Sequence, residues 1–285
     1  MLLPGLAFYL IFRYGPMYGI LIAFKNYSPF RGVWDSQWVG FKYFERLFST
    51  KDLGHLMWNT LRLGLLELLI CFPATIIFAL LLNEVRSVRL KKLYQTVSYL
   101  PSFLSIVIIC TIFLDAFSIK GGVVNSIITA FGGEAVYFNG NSKYYLMIYI
   151  LSEIWASIGA GAIVYLAALA GIDQNLYEAA AIDGCSRFKM ILHITVPSIL
   201  PTVITMFLTR VGNIIRIAPD KTLLLYNDLT MNVADIIGTY VYRVGLVQKN
   251  YSFSTAVGLF ESVLACVLLI IANKICKKTN GTSLW

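Results

Sequence analysis

Apolar residues in this chain come in long runs rather than at the spacing of an amphipathic surface helix. Six stretches approach or exceed the roughly 20 residues that cross a bilayer core: 2–24, 59–83, 98–118, 144–170, 198–218 and 253–273. Gly15-Pro16 and Pro73 interrupt two of them, which membrane helices tolerate where neighbours re-satisfy the freed backbone groups. Shorter mixed stretches lie between the runs. Residues 123–131 (VVNSIITAF), after Gly121-Gly122, and 233–244 (VADIIGTYVYRV) predict short helices on the outer face. No internal repeat or low-complexity tract is visible. The pattern predicts an all-α, six-span membrane protein with one domain over 1–285.

Composition agrees with that pattern. Of 285 residues, 58% are hydrophobic and 13% charged, against about 25% charged in a soluble domain. The natural solvent for so much apolar surface is lipid. A net charge of +8 on a soluble protein would suggest nucleic acid, but here the basic residues flank apolar runs, as the positive-inside rule requires. Placing Arg86, Arg89, Lys91 and Lys92 of segment 84–92 in the cytoplasm, with Lys274, Lys277 and Lys278 of the tail, puts both chain ends inside a multi-pass plasma-membrane protein. The outer segment 25–58 also holds Lys25, Arg31, Lys42, Arg46 and Lys51, partly balanced by Asp35, Glu45 and Asp52. The five cysteines (71, 110, 185, 266 and 276) have no zinc or redox spacing. The first apolar run is too long for a cleavable signal peptide and lacks a small-residue cleavage site.

The inner connection between runs four and five differs in kind. Residues 171–202 read GIDQNLYEAAAIDGCSRFKMILHITVPSILPT. Glu178 to Ile182 favour helix, Asp183-Gly184 breaks it, Arg187 to Thr195 suit a second short helix, and Pro197 and Pro201 mark the start of the next span. The expected unit is two short helices around a glycine turn, carrying an Ala-rich apolar surface that a mere connector does not need.

Glu178, Ala179, Ala180, Asp183, Gly184 and Pro197 in this spacing resemble the EAA loop of ABC importer permeases. Ile191 and Val196 stand where that family usually has Phe and Leu. The likeness continues through LLNEVRS (81–87), YLPSF (99–103), VYLAALAGID (164–173), ADIIGTYVYRVGL (234–246), YSFSTAVGLF (251–260) and the ending SLW, which look like the oligosaccharide branch of the maltose-type permeases. Gly238 departs from it, standing where an acidic residue is expected. The resemblance implies a type I permease fold with a coupling loop at 171–197 that docks into an ATP-binding subunit. It further implies a second permease chain, two ATP-binding subunits holding ATP and Mg, and an extracellular sugar-binding protein or lipoprotein. No cofactor or metal is expected on this chain.

Charges inside the runs are the second candidate feature. Arg13, Glu67, Glu153, Arg210 and Glu261 each fall about eight to eleven residues from an outer end, roughly 12–17 Å deep. A charge at that depth costs at least about 2.5–3.5 kcal/mol if it faces lipid. Two readings stay open: a polar layer lining a sugar pathway, or Arg–Glu pairs that fix helix packing. Trp155 is a candidate platform for a sugar ring and Asn213 a candidate amide donor, with ordinary packing the competing reading for both. Ala156, Gly159, Ala160 and Gly161 form a small-residue face suited to close helix contact. His55 and His193 have no sequence partners for metal or acid–base work.

No phosphate-binding loop, nucleophile triad or paired-carboxylate motif lies in a soluble segment, so no enzyme is expected. An ion-coupled secondary transporter is the rival reading, since intramembrane Glu and Arg also serve ion coupling. Such proteins usually show related halves, and none is visible here.

Overall fold

In the computed structural model, described for residues 2–217 and 219–280, helices dominate. Five are long and apolar enough to cross a membrane: Leu3–Phe24, Leu53–Glu84, Ser142–Ala170, Arg187–Asn213 and Tyr251–Lys278. The sixth is a bent pair, Val88–Phe103 and Ile106–Ala116, with 102° between its limbs. The run expected to span at 98–118 is therefore corrected to the later part of a bent pair that begins at Val88. Leu104 and Ser105 are both extended, and the Ser105 hydroxyl caps the second limb by accepting from Ile108 N–H. Both limbs are apolar, so hydropathy alone joins them. At 11 residues, the second limb is too short to cross by itself.

Three prolines leave the same mark. Five-residue π-type turns cover Leu10–Tyr14, Glu67–Cys71 and Ile191–Thr195, each ending two residues before Pro16, Pro73 or Pro197. A proline ring collides with the carbonyl four residues back, and that carbonyl lies in the middle of each turn. The wider turn moves it aside without ending the helix. This also corrects the expected start of span five. The helix from Arg187 runs unbroken into Arg187–Asn213 rather than forming a separate short element before 198.

Packing is closest where side chains are smallest. A Cβ built on Gly159 would meet the Ser98 carbonyl oxygen at 2.1 Å, and one on Gly161 would meet Thr75 Cγ2 at 2.9 Å. The small-residue face of Ser142–Ala170 thus seats both the Val88–Phe103 limb and Leu53–Glu84. Three spans close around Ala79, Ala162, Tyr165, Leu169 and Ile199 at the end near Glu84 and Ala170. Another cluster, with Ala23, Leu47, Ile215, Phe253 and Val257, ties the first and last spans together at the opposite end.

The segments that join the spans at that end are ordered. Lys25–Ser28 pairs antiparallel with Gly32–Trp38, a small hairpin that the hydrophobic pattern did not predict. Trp34 stacks on Tyr18, and Trp38 on Phe24. Helix Val123–Ala130 forms as expected, whereas 233–244 is split: Val233 and Ala234 end helix Met231–Ala234, Asp235 and Ile236 are extended, and helix resumes at Ile237. Gly238 packs with its α-carbon close to the Ile217 carbonyl, 3.2 Å from a built Cβ, so an acidic side chain there would force that backbone to give way.

Candidate functional site

After Asn213 the chain leaves its helix at the level of Glu153 and runs on toward the Ser142 end of the bundle. Two contacts with helix Ser142–Ala170 fix this course. Lys221, on the short helix Pro219–Leu225, meets Glu153, and further along Leu229 and Asn232 meet Ser142. Eleven residues separate those two levels on the long helix, about 16 Å at 1.5 Å per residue. Segment 219–232 therefore runs as a short helix and loop beside Ser142–Ala170, a placement of non-spanning backbone that is tolerated at membrane depth only against protein or a water-lined cavity.

At the deep end is a cavity of about 310 Å3, lined by Glu67, Glu153, Asn213, Arg216, Asp220 and Lys221, with Ile106, Tyr149 and Ile217. Lys221 Nζ donates to Glu153 Oε2 at 2.8 Å and to the Tyr149 carbonyl at 2.9 Å, and lies 4.1 Å from the Tyr149 ring centre. The Tyr149 hydroxyl donates to Glu67 Oε1 at 2.8 Å. Glu67 starts the π-type turn ahead of Pro73, so the turn that accommodates the proline also presents this carboxylate. Side-chain exposure is 6% for Lys221 and 21% for Glu153. Arg216 donates to Ser262 and approaches Glu261, placing that carboxylate at the cavity margin.

Of the charges expected at this depth, Glu67 and Glu153 line one cavity, together with the candidate amide Asn213. Arg13 is exposed on Leu3–Phe24, and Arg210 is exposed near the end of Arg187–Asn213. Neither pairs with Glu153. Of the two open readings, the Arg–Glu pairing is replaced at Glu153 by a pair with Lys221, because the short helix Pro219–Leu225 brings a lysine to a depth that the sequence assigned to an outer loop. Trp155 is also relocated. Two residues on from Glu153, it turns about 200° around the helix and packs on Phe113 at 5.8 Å between ring centres, outside the cavity. Asn213 bonds its own helix through the Thr209 carbonyl. Lys221, Arg216 and Asp220 were missed by sequence reasoning; Pro219 opening a short apolar helix was the available signal.

The second candidate region is the loop at 171–197. Asp173 caps helix Gln174–Ile182 by accepting from Asn175 N–H, and Gly184 ends it at φ 72°. The Cys185 and Gly184 N–H groups return to the Ala180 and Ala181 carbonyls, the paired closure of a Schellman motif. None of the nine helix residues is buried. Glu178 and Ala179 are exposed, and so are the large apolar side chains Ile182 (87%) and Phe188 (69%). Tyr177 hydroxyl meets Thr195 Oγ1 at 2.9 Å, tying the short helix to the one that continues into span five. Beside it, Glu84, Ala181, Gly184 and Met190 line a cleft of about 520 Å3. Both histidines are engaged by backbone carbonyls, His193 by Lys189 and His55 by Asn232.

Comparison with known proteins gives concordant matches. Residues 71–278 match the family described as binding-protein-dependent transport system inner membrane component. Protein LplB of Bacillus subtilis (strain 168) is 45% identical over 285 residues, all of this chain and 90% of that protein. The polygalacturonan/rhamnogalacturonan transport system permease protein YteP of the same organism is 42% identical over 278 residues, 98% of this chain and 87% of the relative. A solved bacterial ABC transporter involved in the import of the acidic polysaccharide alginate has a chain that superposes with a TM-score of 0.90 at 40% identity, covering 98% of this chain and 94% of that one. The bacterial alginate ABC transporter in complex with an alginate pentasaccharide-bound periplasmic protein gives 0.91 at 39% identity, with 100% and 95% covered.

Proposed function

This chain belongs to the binding-protein-dependent transport system inner membrane component family, and from that footing we propose that it forms half of an oligosaccharide pathway driven by ATP-binding partners. Permeases of ABC importers are transport chains, and ATP hydrolysis belongs to a separate subunit. Family membership therefore displaces the ion-coupled alternative. The finer reading has four parts. An extracellular sugar-binding protein delivers substrate, as the neighbour solved with its periplasmic protein suggests. A second permease chain completes the pathway, two ATP-binding subunits carry ATP and Mg, and both chain ends face the cytoplasm.

One observation carries the coupling role. Helix Gln174–Ile182 is capped at both ends yet buries none of its residues, and large apolar side chains project from the adjoining turn. A surface built that rigidly and left that bare is suited to a protein partner. Glu178, Ala179, Ala180, Asp183, Gly184 and Pro197 are the residues assigned to it. The mid-depth cavity is assigned to the pathway, with Glu67, Glu153 and Asn213 offering hydrogen-bond partners for sugar hydroxyls. Arg210 and Glu261 stand near its margin, and neither Arg13 nor Trp155 belongs to it.

Charge placed on the docking surface tests the reading. Ile182→Asp and Phe188→Asp, made in the assembled transporter, should each reduce ATPase subunits recovered with the permease and lower uptake of labelled oligosaccharide. The helical content of the permease should stay unchanged. Full recovery of the ATPase with native uptake in both variants would remove this surface from the coupling role.

A further inference from the structure

Helix Ser142–Ala170 carries a second concavity, on the side opposite the Glu153 cavity. Trp155 forms part of a groove of about 470 Å3, together with Leu81 and Val85 at the end of Leu53–Glu84 and Tyr94, Val97 and Pro101 on the Val88–Phe103 limb. Its walls are almost wholly apolar. The hydroxyl of Ser98, which also lines it, is taken up by the Gln95 carbonyl at 3.0 Å. A sugar would find few partners there, and the groove faces away from the pathway residues.

The groove is polarised along its length. Residues 91, 94, 98 and 101 share one face of the limb at i, i+3, i+7 and i+10 spacing. Lys91 therefore stands one turn before Tyr94, at the Val85 end, and Pro101 lies about 15 Å further along. Arg86, Arg89 and Lys92 surround the same end. Among the described residues, none of these four cations forms an ion pair. Cations at one end followed by about 15 Å of apolar wall match a molecule with an anionic head and an alkyl tail. Basic pockets between membrane helices bind anionic lipid head groups by this combination. A protein helix laid in the groove would instead have to supply several carboxylates beside a wholly apolar stripe.

We propose that this groove seats an acyl chain of an anionic phospholipid, with its phosphate against Lys91 and the neighbouring cations. The bound chain would brace the Val88–Phe103 limb, which already touches Ser142–Ala170 backbone to backbone at Ser98 and Gly159. This inference is independent of which sugar is carried and of which way the chain is oriented, because it concerns whichever leaflet residues 84–92 face.

Trp155 supplies the reporter. The complete transporter is placed in phosphatidylcholine nanodiscs containing equal mole fractions of either phosphatidylglycerol or phosphatidylcholine with brominated acyl chains. Quenching at this residue is the difference between the native and Trp155→Phe complexes. Brominated phosphatidylglycerol should quench it several-fold more strongly than brominated phosphatidylcholine. Lys91→Gln should reduce that preference about fivefold, the factor expected for one cation near the surface. Val97→Phe, which fills the groove, should protect Trp155 from both lipids. Raised salt on the native complex should weaken the preference as well, a readout that does not depend on variants assembling. Equal quenching by the two lipids, a preference that survives both Lys91→Gln and salt, or a Trp155 that neither lipid reaches would each overturn the proposal. The last outcome would mean that a protein surface covers the groove.

Discussion

The two regions of this permease proposed for coupling and for the pathway are built in opposite ways. The loop at 171–197 is continuous in sequence, and its shape comes from local hydrogen bonds: an aspartate cap, a Schellman closure and one glycine at positive φ. The mid-depth cavity is assembled from segments up to about 150 residues apart in a chain of 285. It is held by one buried ion pair and one tyrosine–carboxylate bond. Local structure survives when its surroundings move, which suits a surface that must transmit motion to another chain. A site made from several helices changes whenever those helices shift, which suits a pathway that must open and close. The two should therefore fail differently when they are damaged.

The sharpest contrast is expected at Gly184. Its built Cβ meets nothing within 4 Å, yet φ is 72°. Gly184→Val therefore brings no clash, only the strain of a β-branched residue in the left-handed region, about 1–2 kcal/mol. The turn can escape this strain by changing shape, which would move Ile182 and Phe188 relative to each other. Uptake should fall by about tenfold or more, the ratio that some 1.4 kcal/mol represents, while the thermal stability of the bundle stays native. Glu178→Lys should act in the same direction by reversing an exposed charge offered to the partner. Native uptake in both variants, with normal ATPase assembly, would break the proposed contrast on its loop side.

The cavity should show the reverse pattern. Lys221→Met leaves Glu153 buried without its cation, a loss that typically costs about 3–5 kcal/mol. The melting temperature of the complex should drop clearly. Because a buried pair can often be replaced by apolar residues at little cost, Lys221→Met with Glu153→Met should recover most of that stability. Uptake should stay low in the double variant if Glu153 also serves the pathway. Recovery of both stability and uptake would reduce the pair to packing. Failure to recover stability would show that Lys221 matters through Tyr149 rather than through Glu153.

How much of each region could be read from sequence follows from the same difference. Glu178 to Gly184 announce a helix, its end and a turn within seven residues, so the loop was legible, except that the helix after it fuses with span five through the π-type turn before Pro197. Glu67, Glu153 and Asn213 were legible as polar residues within apolar runs. Lys221 was not, because Pro219 opening a short apolar helix in APDKTLLLYND is a local signal that says nothing of the distant Glu153. Trp155 was legible only as a choice between a sugar platform and ordinary packing, and helical geometry, which sets it nearly opposite Glu153, favours packing. The break at Leu104-Ser105 was hidden because hydropathy measures composition and carries no direction.

The smallest effect is expected at a second ion pair, which connects the loop to the end of span two. Arg187 Nη1 lies 3.6 Å from Glu84 Oε2, with side chains 62% and 40% exposed. Exposed pairs at this distance usually contribute about 0–1 kcal/mol, and salt screens them further. Arg187 is also the first residue of its helix, where a cation faces the positive end of the helix dipole. Its removal thus relieves one interaction while losing another. Arg187→Ala should leave melting temperature and uptake within error of native, at low and high salt alike. If uptake instead fell as far as in Gly184→Val, the Glu84–Arg187 contact would be a mechanical link between span two and the docking helix. The loop could then no longer be regarded as a unit shaped by its own hydrogen bonds.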